Sequence, residues 1–123
     1  MLKLVFCVRR LPRLSQAEFQ RYWRETHGPL VARHAALLGI RRYVQTHALD
    51  SPHNELLRAS RGTREPYDGF AELWWDDFDA LTAALATDEG RAASRALYED
   101  EQRFIDLAGS SLVLCEEHPI VAG

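Results

Sequence analysis

The chain has 123 residues, 46% of them apolar and 27% charged, and a net charge of −3. That length suits one domain with a single core and is too short for two. The mild negative charge argues against nucleic acid, whose phosphates call for a basic surface, and no apolar run approaches the roughly 20 residues that span a bilayer.

Residues 2–8, LKLVFCV, read as a buried strand. One lysine precedes the run and no small-residue cleavage site follows it, so it does not read as a secretory signal. Cys7 and Cys115 sit in apolar runs without CxxC or metal-ligand spacing, which fits a reducing, cytoplasmic setting. Ser15 and Glu18 have the spacing of a capping box. The helix after them carries Phe19, Tyr22, Trp23, Thr26, His27 and Leu30 on one face. Gly28-Pro29 is expected to interrupt it, because proline lacks the N–H and pushes its predecessor toward extended backbone. Pro29 then suits the start of a second helix to about Leu38, with Gly39 as its cap.

IRRYVQTHAL alternates, with Arg42, Val44 and Thr46 on one face and Tyr43, Gln45 and His47 on the other. Residues 49–67 lack a steady period and read as a long loop with room for one helical turn. GFAELWW is the third strand, with Phe70, Glu72 and Trp74 facing one way and Ala71, Leu73 and Trp75 the other. Asp76 or Asp77 caps a helix with Phe78, Leu81 and Leu85 on one side. After a pause at Gly90, a charged helix runs to about Leu107, with Ala93, Leu97, Phe104 and Ala108 inward and Gly109 as its stop. SSLVLCEEHPIV is the last strand. No repeat or linker divides residues 1–123, which read as one domain.

The order β-α-β-β-α-β is ferredoxin-like: α+β, four antiparallel strands with helices packed on one face. Helices can cover only one side. The other, expected to include Tyr43, Trp74 and parts of the first and last strands, would stay open, and such a patch predicts a homodimer, sheet against sheet.

His27 shares the inward face with Phe19 and Trp23, and its ring titrates in the range useful for proton transfer at neutral pH. A histidine bonded to a carbonyl freed by Pro29 is the alternative. Tyr43, Gln45 and His47, spaced by two, wall either a cavity or a dimer seam; a one-residue slip would invert the face. Their cross-strand neighbours are expected to be Glu72 or Trp74. Glu72 reads as a base or as the partner of Arg42 or another arginine. Tyr22, Trp23 and Trp74 wall an aromatic ligand or fill the core. Nucleotide loops, a serine elbow and metal-ligand spacings are missing, so neither metal nor cofactor is expected.

KLVFCVRR, FQRYWRETHGPLV, GIRRYVQTH and YDGFAELWWDDFDAL together resemble the EthD family of the dimeric α+β barrel superfamily, over nearly the whole chain. The resemblance implies a dimer in which two four-stranded sheets pack or close into a barrel-like body, with a cleft between the sheet and helices of each protomer. It matches His27 to the family's motif histidine. Relatives include cofactor-free lactone isomerases, polyketide cyclases, dehydratases and quinone-forming monooxygenases, so it narrows the fold more than the reaction. The function it implies is a small cofactor-independent enzyme acting on an aromatic, lactone or polyketide-like molecule. His27 and His47 would exchange protons and Tyr43 would bond a developing enolate or phenolate. Tyr22, Trp23, Gln45, Glu72 and Trp74 would hold the substrate. The alternative is a non-catalytic accessory or small-molecule-binding protein of a degradation pathway such as ether breakdown; a purely structural dimer is a third.

Overall fold

Four strands, β1 (Leu2–Val8), β2 (Arg42–His47), β3 (Gly69–Trp75) and β4 (Ser111–Cys115), form one antiparallel sheet in the order β2-β3-β1-β4. The computed structural model describes residues 1–123. Register sets the faces. β1 pairs Leu4 with Leu73 and Phe6 with Ala71, and β2 pairs Tyr43 with Leu73, Gln45 with Ala71 and His47 with Gly69. Side chains alternate along a strand, so Leu4, Phe6, Val8, Tyr43, Gln45, His47, Ala71, Leu73 and Trp75 share the side that meets the helices. Phe6, Val8 and Ala71 join Phe19, Trp23, Phe104 and Ile105 in one core cluster; Trp75 joins Val31, Leu38, Ile40 and Ala93 in a second.

The first helix, α1 (Gln16–Tyr22), starts as the capping box requires: the Glu18 N–H donates to Ser15 Oγ and the Ser15 N–H to Glu18 Oε1. The expected break at Gly28-Pro29 does not occur. A π turn, Trp23–His27, leads directly into α2 (Gly28–Leu38), and both His27 and Gly28 keep helical backbone angles. The Gly28 N–H donates to the Trp23 carbonyl, five residues back. A wider turn accommodates the missing donor and the ring of Pro29 without ending the helix. Gly39, at φ 71°, closes α2 in the left-handed conformation.

Part of the expected loop is a helix, α3 (Pro52–Arg61), capped by Ser51 and ended by Gly62 at φ 66°. It buries no residue: Leu56 and Leu57 stay exposed. Asp77 caps α4 (Phe78–Leu85), and Thr87 caps α5 (Asp88–Glu101). Gly90 lies inside α5: a Cβ there would come within 1.7 Å of the Ala84 carbonyl, so the glycine marks a close helix approach. Helix α5 ends at Glu101, short of Leu107, and Ile105 instead bridges to Arg10. β4 ends at Cys115, short of the expected strand end.

The open face carries Val5, Val44, Phe70, Trp74 and Val113, but not Tyr43, which faces the helices. Trp74 is only 7% exposed. The Lys3 ammonium and Arg42 guanidinium lie 4.9 and 4.7 Å from its ring, and its Nε1 donates to Glu117 at 2.8 Å. Glu72 pairs with Lys3 at 3.5 Å, not with an arginine. No helix is long and apolar enough to cross a membrane.

Candidate functional site

On the helix-facing side of β2, one amide fixes the direction of a chain of hydrogen bonds. Gln45 Nε2 donates to the Trp23 carbonyl and to the Tyr43 hydroxyl oxygen, both at 2.8 Å. A backbone carbonyl only accepts, so it decides which end of the amide is nitrogen. Gln45 Oε1 therefore faces His47 Nε2, 2.8 Å away, and that nitrogen carries the proton. His47 Nδ1 is left as the basic nitrogen, and the Tyr43 hydroxyl keeps its own proton to give. The His47 ring stacks on Trp23 with centroids 4.4 Å apart. Gly69, opposite His47, permits this: a Cβ there would meet the Trp23 ring at 2.6 Å. With Gln20, Arg24 and Gly28, these three β2 side chains line an open cleft of about 540 Å3. Burial pushes the His47 imidazole below its ordinary value, helped by the Arg24 charge, and burial raises the Tyr43 phenol.

His27 belongs to a different cluster. It is buried, packs its ring 4.9 Å from that of Phe104, and places Nδ1 2.7 Å from Asp100 Oδ2. The other Asp100 oxygen accepts from the Tyr22 hydroxyl at 2.6 Å and from Arg103 at 3.0 Å. Burial alone would raise the Asp100 carboxyl, but these three donors outweigh it and hold the value below the usual range. Burial pushes His27 down, and the bond to Asp100 offsets that only in part. The pair is thus a neutral imidazole donating Nδ1–H to an ionised carboxylate. It ties the π turn to the end of α5.

Between the sheet and helices α4 and α5 lies a cavity of about 270 Å3. Eleven of its thirteen lining residues are hydrophobic, among them Phe6, Leu73, Trp75, Leu81 and Leu97; the others are Ser94 and Glu101. The Glu101 carboxyl makes no hydrogen bond. Burial, with the neighbouring Asp100 charge, raises it from 4.5 to about 7. The cavity and the cleft share no lining residue, but Leu73 of the one stands opposite Tyr43 of the other in the ladder, and the Glu101 charge reaches the Tyr43 phenol.

The structure brings Tyr43, Gln45 and His47 together. It does not join His27 to them: each imidazole has its own partner, and His27 lines neither the cleft nor the cavity. Tyr22 serves Asp100, and Trp23 is a core residue that supports His47. Glu72 and Trp74 stand on the opposite face of the sheet, away from the residues they were expected to join. Glu101 was not singled out. Its signal was present, four residues after Leu97 and three before Phe104 on the inner stripe of a helix. No three His, Cys, Asp or Glu side chains lie close enough together to hold a metal ion.

The family model for the EthD domain matches residues 11–108. The chain belongs to the EthD family. Among solved structures it is similar to an EthD family protein from Bacillus halodurans C-125, at 28% identity over 96% of this chain and 99% of that one, TM-score 0.61. A dimeric protein of unknown function and ferredoxin-like fold from Bacteroides fragilis is 11% identical over 94% of this chain and 95% of that one, TM-score 0.58. SnoaB, a cofactor-independent oxygenase from Streptomyces nogalater, is 19% identical over 99% of this chain and 97% of that one, TM-score 0.51. The last two likenesses establish fold alone. Comparison with curated proteins gives no match.

Proposed function

We propose that this EthD chain is a cofactor-independent enzyme performing proton transfer on a small, largely apolar molecule with an enolisable carbonyl or a phenol. The observation that carries this reading is the directed relay of Tyr43, Gln45 and His47 beside an apolar cavity. Tyr43 has a proton to donate to an oxygen that gains charge, and the fixed Gln45 contact holds the hydroxyl in place, so little reorganisation is needed as that charge develops. His47 Nδ1 takes up or returns a proton at the cleft. The electron pair of the broken C–H or O–H bond moves toward the oxygen facing Tyr43. Isomerisation, cyclisation and dehydration share this step, as does an oxygenase in which dioxygen attacks the resulting anion. His27 acts as a positioning residue in this scheme, anchoring α5 through Asp100. The open face, with Val5, Phe70 and Val113, is the surface through which two copies pair; a dimeric protein of this fold from Bacteroides fragilis supports pairing without indicating the face.

The test requires no knowledge of the natural substrate. Exchange of the α-protons of 2-tetralone into D2O, followed by proton NMR, reads the elementary step. The wild type should exceed buffer, and Tyr43→Phe should lose on the order of 100-fold, the effect of removing one oxyanion donor. Exchange at the buffer rate for 2-tetralone and for other small apolar ketones and phenols would contradict the reading.

A further inference from the structure

We infer that Glu101 is the group that removes the proton from carbon, and that the cavity selects an uncharged, apolar molecule with a single carbonyl. This rests on the reading of the protein as a proton-transfer enzyme; it gives the carbon-bound proton to Glu101, leaves His47 to exchange protons with oxygen at the cleft, and adds a substrate class.

Three observations carry the assignment. First, Glu101 lies one turn after Leu97 at the C-terminal end of α5, and it lines a cavity whose other walls are almost wholly apolar. Its carboxyl is half-buried and has no hydrogen-bond partner in the protein, which disfavours its charged form, so its presence there asks for a role. Second, its chain neighbour Asp100 is locked by Tyr22, His27 and Arg103. That lock fixes the end of α5 and hence the direction from which Glu101 enters the cavity. Third, the two adjacent carboxyls have opposite environments, one ionised by three donors and one desolvated without any. Such divergence is how acid and base roles separate in a site. The rise of Glu101 to about 7 agrees with that geometry.

The ligand class follows from what the walls offer. No cationic side chain lines the cavity, so nothing there would hold a carboxylate or phosphate. Its volume lies just under the range of about 300–1,000 Å3 of small-molecule sites, which favours a molecule of one or two rings. The titratable groups around Glu101 are Asp100 and Tyr98 from its own helix and Tyr43 from β2; β1, β3, β4, α2 and α4 present none to the cavity. In the step, the Glu101 carboxylate forms an O–H bond as the C–H bond breaks. The electron pair passes to the carbonyl oxygen, which accepts a hydrogen bond from Tyr43. Return of the proton to the same or another carbon leaves the enzyme unchanged, and no oxidant or reductant is consumed.

Glu101→Gln keeps the shape and removes the base. In the 2-tetralone exchange assay it should lose 100-fold or more, while ligand-induced shifts in the protein NMR spectrum show that binding and fold persist. Glu101→Asp should recover part of the rate. The wild-type rate should rise with pH through an inflection near 7. Wild-type exchange that survives Glu101→Gln with its pH profile intact overturns the role of Glu101 and leaves the enzyme reading standing. Absence of wild-type exchange overturns both.

Discussion

Asp100 and Glu101 are adjacent in sequence and titrate in opposite directions, and this gives the protein two opposed dependences on pH. His27 and Asp100 both have lowered values in the folded state. The unfolded chain therefore takes up protons first as pH falls, so the stability these groups supply is present above their unfolded values and lost below them. The loss should begin below about pH 6.5, where an unfolded histidine titrates, and continue below about pH 4 as Asp100 protonates. Asp100→Ala strips the acceptor from the neutral His27 ring and from the Tyr22 hydroxyl, and should lower stability by about 1–3 kcal/mol in urea melts. Glu101 has the reverse sign. Its folded value is raised, so its contribution is intact below the unfolded value and is lost as pH rises through about 7. At about 1.4 kcal/mol per unit, the rise from 4.5 to about 7 opposes the charged form by on the order of 3 kcal/mol. Glu101→Gln should therefore raise the urea midpoint near pH 8 and leave it unchanged near pH 4. An equal effect at both would show that Glu101 is not desolvated.

At the scale of elements, the cleft depends on how closely three of them approach. Gly69 lets β3 pass beneath Trp23, which in turn supports the His47 ring. Gly69→Ala would place its Cβ 2.5 Å from the Thr46 carbonyl and 2.6 Å from Trp23. Backbone cannot yield there, so a cost of about 1–3 kcal/mol is expected, along with altered tryptophan fluorescence as the stack shifts. An unchanged spectrum and midpoint would contradict the packing. The alternation along β2 and β3 was readable from sequence because one face of each strand is buried, and it grouped Tyr43, Gln45 and His47 correctly. Which side of the sheet they faced was not readable. That needed the pairing of Tyr43 with Leu73, which sends Glu72 and Trp74 to the other face. The π turn was hidden because Gly-Pro usually signals a break, and here a wider turn absorbs it. Helix α3 was hidden because it packs no apolar face, although Ser51-Pro52 and Gly62 were its caps. Glu101 was hidden among the charges of its helix, although Leu97, four residues before it, was already read as inward.

For the whole molecule, the β-α-β-β-α-β order carried the fold, since short apolar strands and capped helices left few other arrangements. The open face has a mixed character: Lys3, Arg42, Glu72 and Glu117 surround Trp74 at one part, while Val5, Phe70 and Val113 lie elsewhere on it. Val113 is 51% exposed in the isolated chain and stands opposite Val5. If two copies pair through this face, Val113→Lys should convert a dimer to a monomer in analytical ultracentrifugation, with little change in far-UV circular dichroism. A wild type that sediments as a monomer at all concentrations would contradict the pairing.

That the fold holds one unpaired carboxyl beside an apolar cavity, raised toward the pH at which proton transfer is useful, is open to direct measurement. The test is a 13C NMR titration of the Glu101 side-chain carboxyl, assigned by comparison with Glu101→Gln. An inflection near 7, well above the ordinary 4.5, is the predicted result. A carboxyl that titrates at the ordinary glutamate value would contradict the account.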